Sequence, residues 1–454
     1  MYVGGDKDGY KMDGGILGVF VAITKIIEES RVQNGADVKY RMEFDRVTQT
    51  NLTTWWAQIL RHYRAPEADA EYKVKADYEG GAILEPVAGL YKELEVVDVQ
   101  SLYPSIIINY NISHETINCE HGLECNPIQV PGLPLTICGQ RKGIFSQICK
   151  KYKTLRVEYK EKGDKAMATG LKIFLNGGYG AYGNEYFRYA DMRVASAVTA
   201  FGRWITTQQL KPEAEKLGFQ VPYGDTDSLF LNWKGGEGKQ EAVKALVAWA
   251  ESEMDIVLEH EKTFKWVILV GKKHYVGRMY NKKENRILIK GMEGKKGDRC
   301  KWVRETFDAV IKAIDENTNP VEPFTKAVEE LMNNRVSHDN LKIWTKLSKD
   351  PQDYGSNCTS KQVGNLHKAT IGDMVWYFKA KKGATLEYAG LDKEKYIDQL
   401  RTAVEDCLRH CGYDVSKKKK GKDTSLEGWT TKKASEDKPI DTTVYKSAPL
   451  PPEN

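Results

Sequence analysis

Three aspartates at the ends of expected strands limit most sharply what this chain can fold into. Gln220 to Asn232 reads as strand, turn, strand, with Gly224-Asp225-Thr226-Asp227 at the turn. Leu94-Glu95-Val96-Val97-Asp98 reads as another strand, rich in β-branched residues and ending on a carboxylate. Carboxylates on strand ends are a simple way to build a divalent-metal site. Mg²⁺ takes one or two carboxylates and completes its shell with water and substrate phosphate. Two such ions about 3.5–4 Å apart activate an attacking hydroxyl and stabilise a leaving oxygen. Asp also favours turns in its own right, so an ordinary hairpin explains the Gly-Asp-Thr-Asp string equally well.

The chain has 454 residues, room for two or three domains with their own cores. Hydrophobic residues make up 41% and charged residues 29%, a globular profile. No apolar run approaches the roughly 20 residues of a membrane span. The apolar stretch Gly14 to Ile23 follows acidic residues and lacks a cleavage signal. It reads as the start of a buried helix or strand, and the chain is expected in the cytoplasm. Net charge is only +5, so the clustering of charge says more than its sum. Lys150, Lys151, Lys153, Arg156, Lys160 and Lys162 crowd one segment, and Lys272, Lys273, Lys282, Lys283, Lys290, Lys295, Lys296, Arg299 and Lys301 crowd another. Each cluster alone reads equally as a solvated face.

Eight cysteines in so long a chain do not make a secreted disulfide scaffold. Cys119, His121, Cys125 and Cys138 are zinc-ligand types, but their irregular spacing without a CxxC pair argues against a zinc site. A local Cys125–Cys138 disulfide fits a host that tolerates one, as hyperthermophiles do.

Along the chain, Trp55, Trp56, Ile59, Leu60 and Tyr63 recur at helical spacing. Tyr78-Glu79-Gly80-Gly81 is a turn signal. Residues 143–162 and 165–182 read as two helices joined by Gly163-Asp164, and Met192 to Leu217 as one long helix. Trp266 to Ile289 reads as strands broken by Asn281. Residues 300–347 and 393–411 read as helical, and the Lys-, Ser-, Thr- and Pro-rich stretch from Ser416 as disordered.

Longer strings resolve the ambiguity of the acidic turn. Asp98-Val99-Gln100-Ser101-Leu102-Tyr103-Pro104-Ser105-Ile106-Ile107 resembles motif A of family B DNA polymerases. Lys172-Ile173-Phe174-Leu175-Asn176-Gly177-Gly178-Tyr179-Gly180 resembles their motif B, and Tyr223-Gly224-Asp225-Thr226-Asp227-Ser228 resembles motif C. The three stand in the family's order. Tyr78-Glu79-Gly80-Gly81 is similar to the family's linker motif, and Gly271-Lys272-Lys273-His274-Tyr275 to its Lys-Lys-x-Tyr motif, with His274 where Arg is commoner. Lys290-Gly291-Met292-Glu293 through Glu305-Thr306 looks like the palm-to-thumb passage, and Ile371-Gly372-Asp373-Met374-Val375 fits the thumb. The archaeal-like resemblance runs from about Phe44 to Gly412.

The resemblance implies an α+β right-hand architecture: a mainly antiparallel palm sheet, helical-hairpin fingers and a helical thumb. It implies an N-terminal remnant over 1–77, palm over 78–140 and 187–298, fingers over 141–186, thumb over 299–415 and a tail over 416–454. The implied activity is template-directed, primer-dependent DNA synthesis with two Mg²⁺ ions, replaceable by Mn²⁺. Asp98, the Val99 carbonyl and Asp227 are the implied metal ligands. Asp225 is a secondary acid and Lys172 a possible proton donor to pyrophosphate. Ser101, Leu102, Tyr103, Arg156, Lys160, Lys172, Asn176 and Tyr179 are the implied nucleotide-binding residues. Backbone amides around Val99 to Leu102 face the triphosphate, and Tyr103 lies under the sugar and excludes a 2′-hydroxyl. Arg156 and Lys160, four apart, share one helix face. Tyr78, Gly80, Gly81, Lys272, Lys273, Tyr275, Lys290, Lys295 and Lys296 are the implied contacts to primer-template DNA.

Residues 1–77 show neither carboxylate pattern of the family's 3′–5′ exonuclease, although Asp45-Arg46-Val47 and Asn51-Leu52-Thr53 look like the segment after it. Proofreading is therefore absent or supplied by a separate chain. In the tail, Lys422-Asp423-Thr424-Ser425-Leu426-Glu427-Gly428-Trp429 resembles a sliding-clamp-binding peptide, with Asp423 in place of Gln. Leu426 and Trp429 would present one helical turn to a clamp. Two alternatives compete with a polymerase: a catalytically silent DNA-binding subunit, and a template-directed enzyme of another kind, such as an RNA polymerase or reverse transcriptase.

Overall fold

The computed structural model describes residues 49–73, 78–280, 285–415 and the short pair 432–433. The segments expected to hold the exonuclease boundary at Asp45 to Val47 and the clamp peptide around Leu426 and Trp429 lie outside the described residues. The chain divides into two units: one from the residues before Val87 together with Glu93–Thr263, the other from Val87–Lys92 together with the residues from Phe264 onward.

The first unit is a sheet with helices against it. Strand β1 (Gly89–Val99), which belongs to this unit from Glu93 onward, passes through Leu94, Val96, Val97 and Val99, all buried. Helix α1 (Gln49–His62) is placed by its aromatics. Trp56 stacks on Phe174 with ring centroids 4.4 Å apart and donates its indole N–H to the Phe174 carbonyl at 2.9 Å. Truncating such a buried Trp costs about 3–5 kcal/mol. Helix α2 (Leu102–Asn109) follows β1 at once and buries Leu102, Ile106 and Ile107. Helices α3 (Ile144–Glu161) and α4 (Lys165–Tyr182) form the expected hairpin. Asp164 caps α4 by accepting from the Met167 amide at 3.0 Å, which satisfies one of the helix's open N–H groups.

Helix α5 (Met192–Trp204) starts where expected, capped by Asp191, but it is not uniform to Leu217. Ile205–Leu210 is a π-helical turn before the α-helix resumes at Lys211–Lys216. Such π turns inside helices frequently mark functional sites. Here the widened turn includes Thr206, whose hydroxyl donates to the Thr226 carbonyl at 2.9 Å. Strands β2 (Phe219–Asp225) and β3 (Ser228–Trp233) are the expected hairpin, and β3 pairs antiparallel with β1. Helix α6 (Lys239–Met254) leads to β4 (Leu258–Gly271), whose first residues belong to this unit.

In the second unit, the rest of β4 and strands β5 (His274–Tyr280) and β6 (Asn285–Lys290) form an antiparallel meander. Helices α7 (Lys301–Asp315), α8 (Glu322–Met332) and α10 (Lys393–His410), with the shorter α9 (Thr359–His367) before α10, are amphipathic. The core of α7, α8 and α10 gathers Phe307, Phe324, Leu331, Tyr396 and Leu400, while Val363 of α9 packs with Leu347, Val375 and Ala384. Residues 300–347 are not helical throughout. Ile343–Lys346 is a strand, β7, paired with β8 (Met374–Lys379) so that Trp344 faces Trp376. Ile, Trp and Thr in succession favour a pleated surface over a helix. Within the segment expected to be disordered, Lys432–Lys433 pair with Tyr413–Asp414. Among the described residues no helix is long and apolar enough to cross a membrane.

Candidate active site

Backbone pairing brings the three aspartates together. Asp98 stands opposite Ser228, and Asp225 opposite the same Ser228 across the hairpin. The Val99 amide donates to the Asp227 carbonyl at 2.8 Å, so motif A and motif C are joined main chain to main chain. The turn between β2 and β3 is tight. Thr226 has φ 61°, and its amide donates to the Ala82 carbonyl at 2.7 Å. With Thr206 holding its carbonyl, Thr226 is fixed on both sides.

The carboxylates feel one another. Burial, then the charges of Asp227 and Glu261, push the Asp98 carboxyl up to about 7, against an opposing pull from Lys172. Burial, with Asp225 and Glu261, also raises Asp227, and Lys172 again opposes. Half-buried acids that raise each other are what a divalent cation relieves, and an all-oxygen donor set suits Mg²⁺ or Mn²⁺. Asp98, Asp227 and the Val99 carbonyl are the groups that would hold such ions.

Glu261 is an acid that sequence reasoning passed over. The signal was the alternation Glu259-x-Glu261 on one strand, which puts both on one face. His260, between them, turns the other way and contacts buried Glu95 at 2.7 Å.

The cations of α3 come to the same end of the first unit. Arg156 donates to the Ser101 hydroxyl, and Lys153 to the Ser105 hydroxyl at 2.8 Å. Lys153, left in the charge run by the sequence, thus sits with α2. Burial lowers the pKa of both. Among the described residues, the buried Arg156 Nε has no hydrogen-bond partner. Lys160 pairs with Glu259 at 2.9 Å, both exposed. On α4, Lys172 and Asn176 are exposed and Tyr179 half-buried.

One expectation needs correcting. The Val99 and Gln100 amides do not face open space: they donate to Asp227 and Val257. Strand pairing consumes them, which leaves the amides of Ser101 and Leu102 at the start of α2 for an anion. Ser101, with φ 59°, makes the bend from strand to helix.

Tyr103 packs against Tyr179 with ring centroids 4.5 Å apart, and burial raises its phenol to about 12. The segment Tyr78 to Gly81 runs beside this pair. Arg203 donates to the carbonyls of Glu79 and Gly80. A Cβ on Gly81 would come within 2.8 Å of both the Tyr103 hydroxyl and the Thr226 methyl, so only glycine fits there.

In the second unit, Lys272 and Lys273 form the exposed turn between β4 and β5. Tyr275 stands opposite Lys290 in the β5–β6 ladder, and its side chain is buried rather than displayed. Lys295 is paired with Asp308 at 2.6 Å, and Lys296 with Glu293.

Cys119, His121, Cys125 and Cys138 come together despite their irregular spacing, their four ligand atoms within 4.8 Å of one another. The Cys125–Cys138 disulfide that a tolerant host would allow is not formed, and all eight cysteines are free thiols.

Residues 57–445 match the model of DNA polymerase family B. The chain belongs to that family. It is 29% identical over 426 residues to DNA polymerase 1 of Aeropyrum pernix, covering 82% of this chain and 43% of the relative. To a DNA polymerase of Archaeoglobus fulgidus it is 27% identical over 395 residues, covering 78% of this chain and 50% of the relative. Among solved structures, the family B DNA polymerase of the hyperthermophilic archaeon Pyrobaculum calidifontis superposes with a TM-score of 0.62 at 25% identity, covering 79% of this chain and 51% of that one. The chain thus spans about half the length of the curated family B relatives it matches.

Proposed function

We propose that this family B chain is a DNA-directed DNA polymerase that adds deoxynucleotides to a primer 3′-hydroxyl by two-metal nucleotidyl transfer. The observation that carries the reading is the backbone pairing of Val99 with Asp227, which sets Asp98 and Asp227 together beside Lys172. A divalent ion such as Mg²⁺ bound by Asp98 and Asp227 would supply charge neutralisation and a more acidic primer hydroxyl. The protein's own part is positioning. Arg156, Lys160 and Lys172 supply positive charge for a triphosphate, and the Ser101 and Leu102 amides supply donors. Tyr103, held by Tyr179, forms a floor for the sugar and excludes a 2′-hydroxyl. Asn176 and Tyr179 line the hairpin side. Tyr78, Gly80 and Gly81, and in the second unit Lys272, Lys273, Tyr275, Lys290, Lys295 and Lys296, are the proposed residues for primer-template DNA. The proposal extends to a chain that does not itself trim 3′ ends, and to a clamp-binding role for Leu426 and Trp429.

Primer extension with the purified 454-residue chain, Mg²⁺ and either dNTPs or NTPs tests this reading. Extension with dNTPs and not NTPs is expected, and a mismatched primer incubated without nucleotides should keep its length. Duplex binding without extension would make the chain a silent DNA-binding subunit. Equal use of NTPs would place it in another enzyme class.

A further inference from the structure

A cluster of metal-ligating side chains stands apart from the carboxylates, in the stretch between α2 and α3. Cys119 and Cys125 have sulfurs 3.5 Å apart, and the Cys138 sulfur lies 3.4 Å from the His121 Nδ1. Four ligands around tetrahedral zinc, with Zn–S about 2.3 Å and Zn–N about 2.0–2.1 Å, stand roughly 3.6–3.8 Å apart. The two separations fall about 0.1–0.4 Å short of that figure, and all four atoms lie within 4.8 Å of one another, close enough to share one ion. They are far from the roughly 2.05 Å of a disulfide. We propose that Cys119, His121, Cys125 and Cys138 bind one structural zinc ion.

The surrounding chain is built to bring these four groups together. A short hairpin, Ile128–Gln129 with Thr136–Ile137, returns Cys138 to Cys125. Both of those cysteines are fully buried, Cys119 is half-exposed and His121 is exposed. Next to Cys138, a Cβ on Gly139 would come within 2.4 Å of the Cys125 carbonyl and 2.6 Å of the Asn126 carbonyl. The two arms therefore approach as closely as backbone allows. The Arg141 amide donates to the Cys138 sulfur at 3.3 Å, the contact that a metal-bound thiolate accepts. All four protein positions are filled by side chains, the closed arrangement of a structural rather than catalytic zinc.

The location gives the ion a task. The Asn111 side chain donates to the carbonyls of Cys138 and Arg141 and accepts from the Gly143 amide at 2.8 Å. Gly143 is the residue from which α3 starts. The clasp thus fixes the base of the helix that carries Lys153, Arg156 and Lys160. It is a positioning device, with no part in the bond-forming step.

Elemental analysis of the full chain, purified under reducing conditions, is expected to give about one zinc per chain. Titration of the zinc-stripped chain with Co²⁺ alone is expected to give the visible absorption of a tetrahedral thiolate site, saturating at about one equivalent. His121→Ala, a change at an exposed position, should lower zinc content severalfold, and His121→Cys should restore it. Cys300→Ser, outside the cluster, should leave it unchanged. Loss of zinc should lower the melting temperature and open residues 113–143 to protease. Zinc-free protein with no tetrahedral Co²⁺ spectrum overturns the proposal. So does a Cys125–Cys138 disulfide found by mass in the purified chain, or an iron–sulfur chromophore. Because zinc content is read without polymerase activity, failure here leaves the polymerase reading intact, and the reverse also holds.

Discussion

The carboxylate turn and the cationic face of α3 serve the same end of the first unit but are held in different ways. Asp98 and Asp227 are placed by main-chain pairing, with Thr226 locked by Ala82 and Thr206. Their side chains are short, so the sheet register decides where the charges go. Arg156, Lys153 and Lys160 reach in on long side chains, and each is steadied by a single partner: Ser101, Ser105 and Glu259. One set is fixed by the fold itself, the other by contacts that a substrate can exchange. A site of the proposed kind, which would hold two metals and also accept and release a charged substrate, needs both kinds of placement. The difference predicts a graded response to mutation.

The largest effect should fall on the rigid set. Asp98→Ala or Asp227→Ala should cut primer extension by on the order of 10³-fold or more, because no neighbour can take over a ligand fixed by strand register. Duplex binding, measured by fluorescence anisotropy, should change little. Asp225→Ala should cost clearly less. Near-normal turnover by Asp227→Ala would break the comparison at its base.

Much of this contrast was readable from the sequence. The strand ending in Asp98, the acidic turn and the helical hairpin follow from side-chain pattern and turn chemistry, and the motif strings joined them into one site. What stayed hidden depends on distance across the fold. Glu261 lies 163 positions from Asp98 in the chain, and only strand neighbourhood reveals that the two interact. The π turn at Ile205–Leu210 looks like ordinary helix in its residue types, and the bond from its Thr206 to the Thr226 carbonyl is visible only in the fold. The Val99 and Gln100 amides could be recognised as spent only once their partners, Asp227 and Val257, were placed. Ile343–Lys346 was misjudged because a four-residue strand is too short for periodicity to separate from a helix end. Spacing also gave no sign that Cys119, His121, Cys125 and Cys138 gather, because a hairpin rather than a CxxC knuckle brings them together.

Among the adjustable set, Arg156 should matter most. It is half-buried, and among the described residues its Nε has no partner and its hydrogen bond goes to a neutral hydroxyl. A charge-assisted bond is worth about 1.5–3 kcal/mol, so Arg156→Ala should raise the KM for dNTPs by roughly 10- to 150-fold. Arg156→Lys should recover only part, since an ammonium cannot copy the planar fork. A KM within twofold of the parent in both variants would remove Arg156 from the nucleotide site.

The smallest effect is expected at Lys160, and there the comparison can be sharpened with salt. Lys160 and Glu259 are both exposed, with side-chain accessibilities of 53% and 46%. Their bond competes with water and counter-ions, and exposed pairs contribute only about 0.2–1 kcal/mol. A triphosphate approaching α3 needs Lys160 to leave Glu259, so the gain from the new contact is offset by loss of the old one. Lys160→Ala should therefore raise the KM for dNTPs only about two- to fivefold at low salt. The effect should fade as ionic strength rises through about 0.15 M, where the screening length drops to about 8 Å. Glu259→Gln should act in the opposite sense, freeing Lys160 and lowering the KM slightly. If Lys160→Ala instead matches Arg156→Ala and keeps its full effect at high salt, then Lys160 is held in a desolvated substrate contact. The ranking of Arg156 above Lys160 within the adjustable set on α3 would then be wrong.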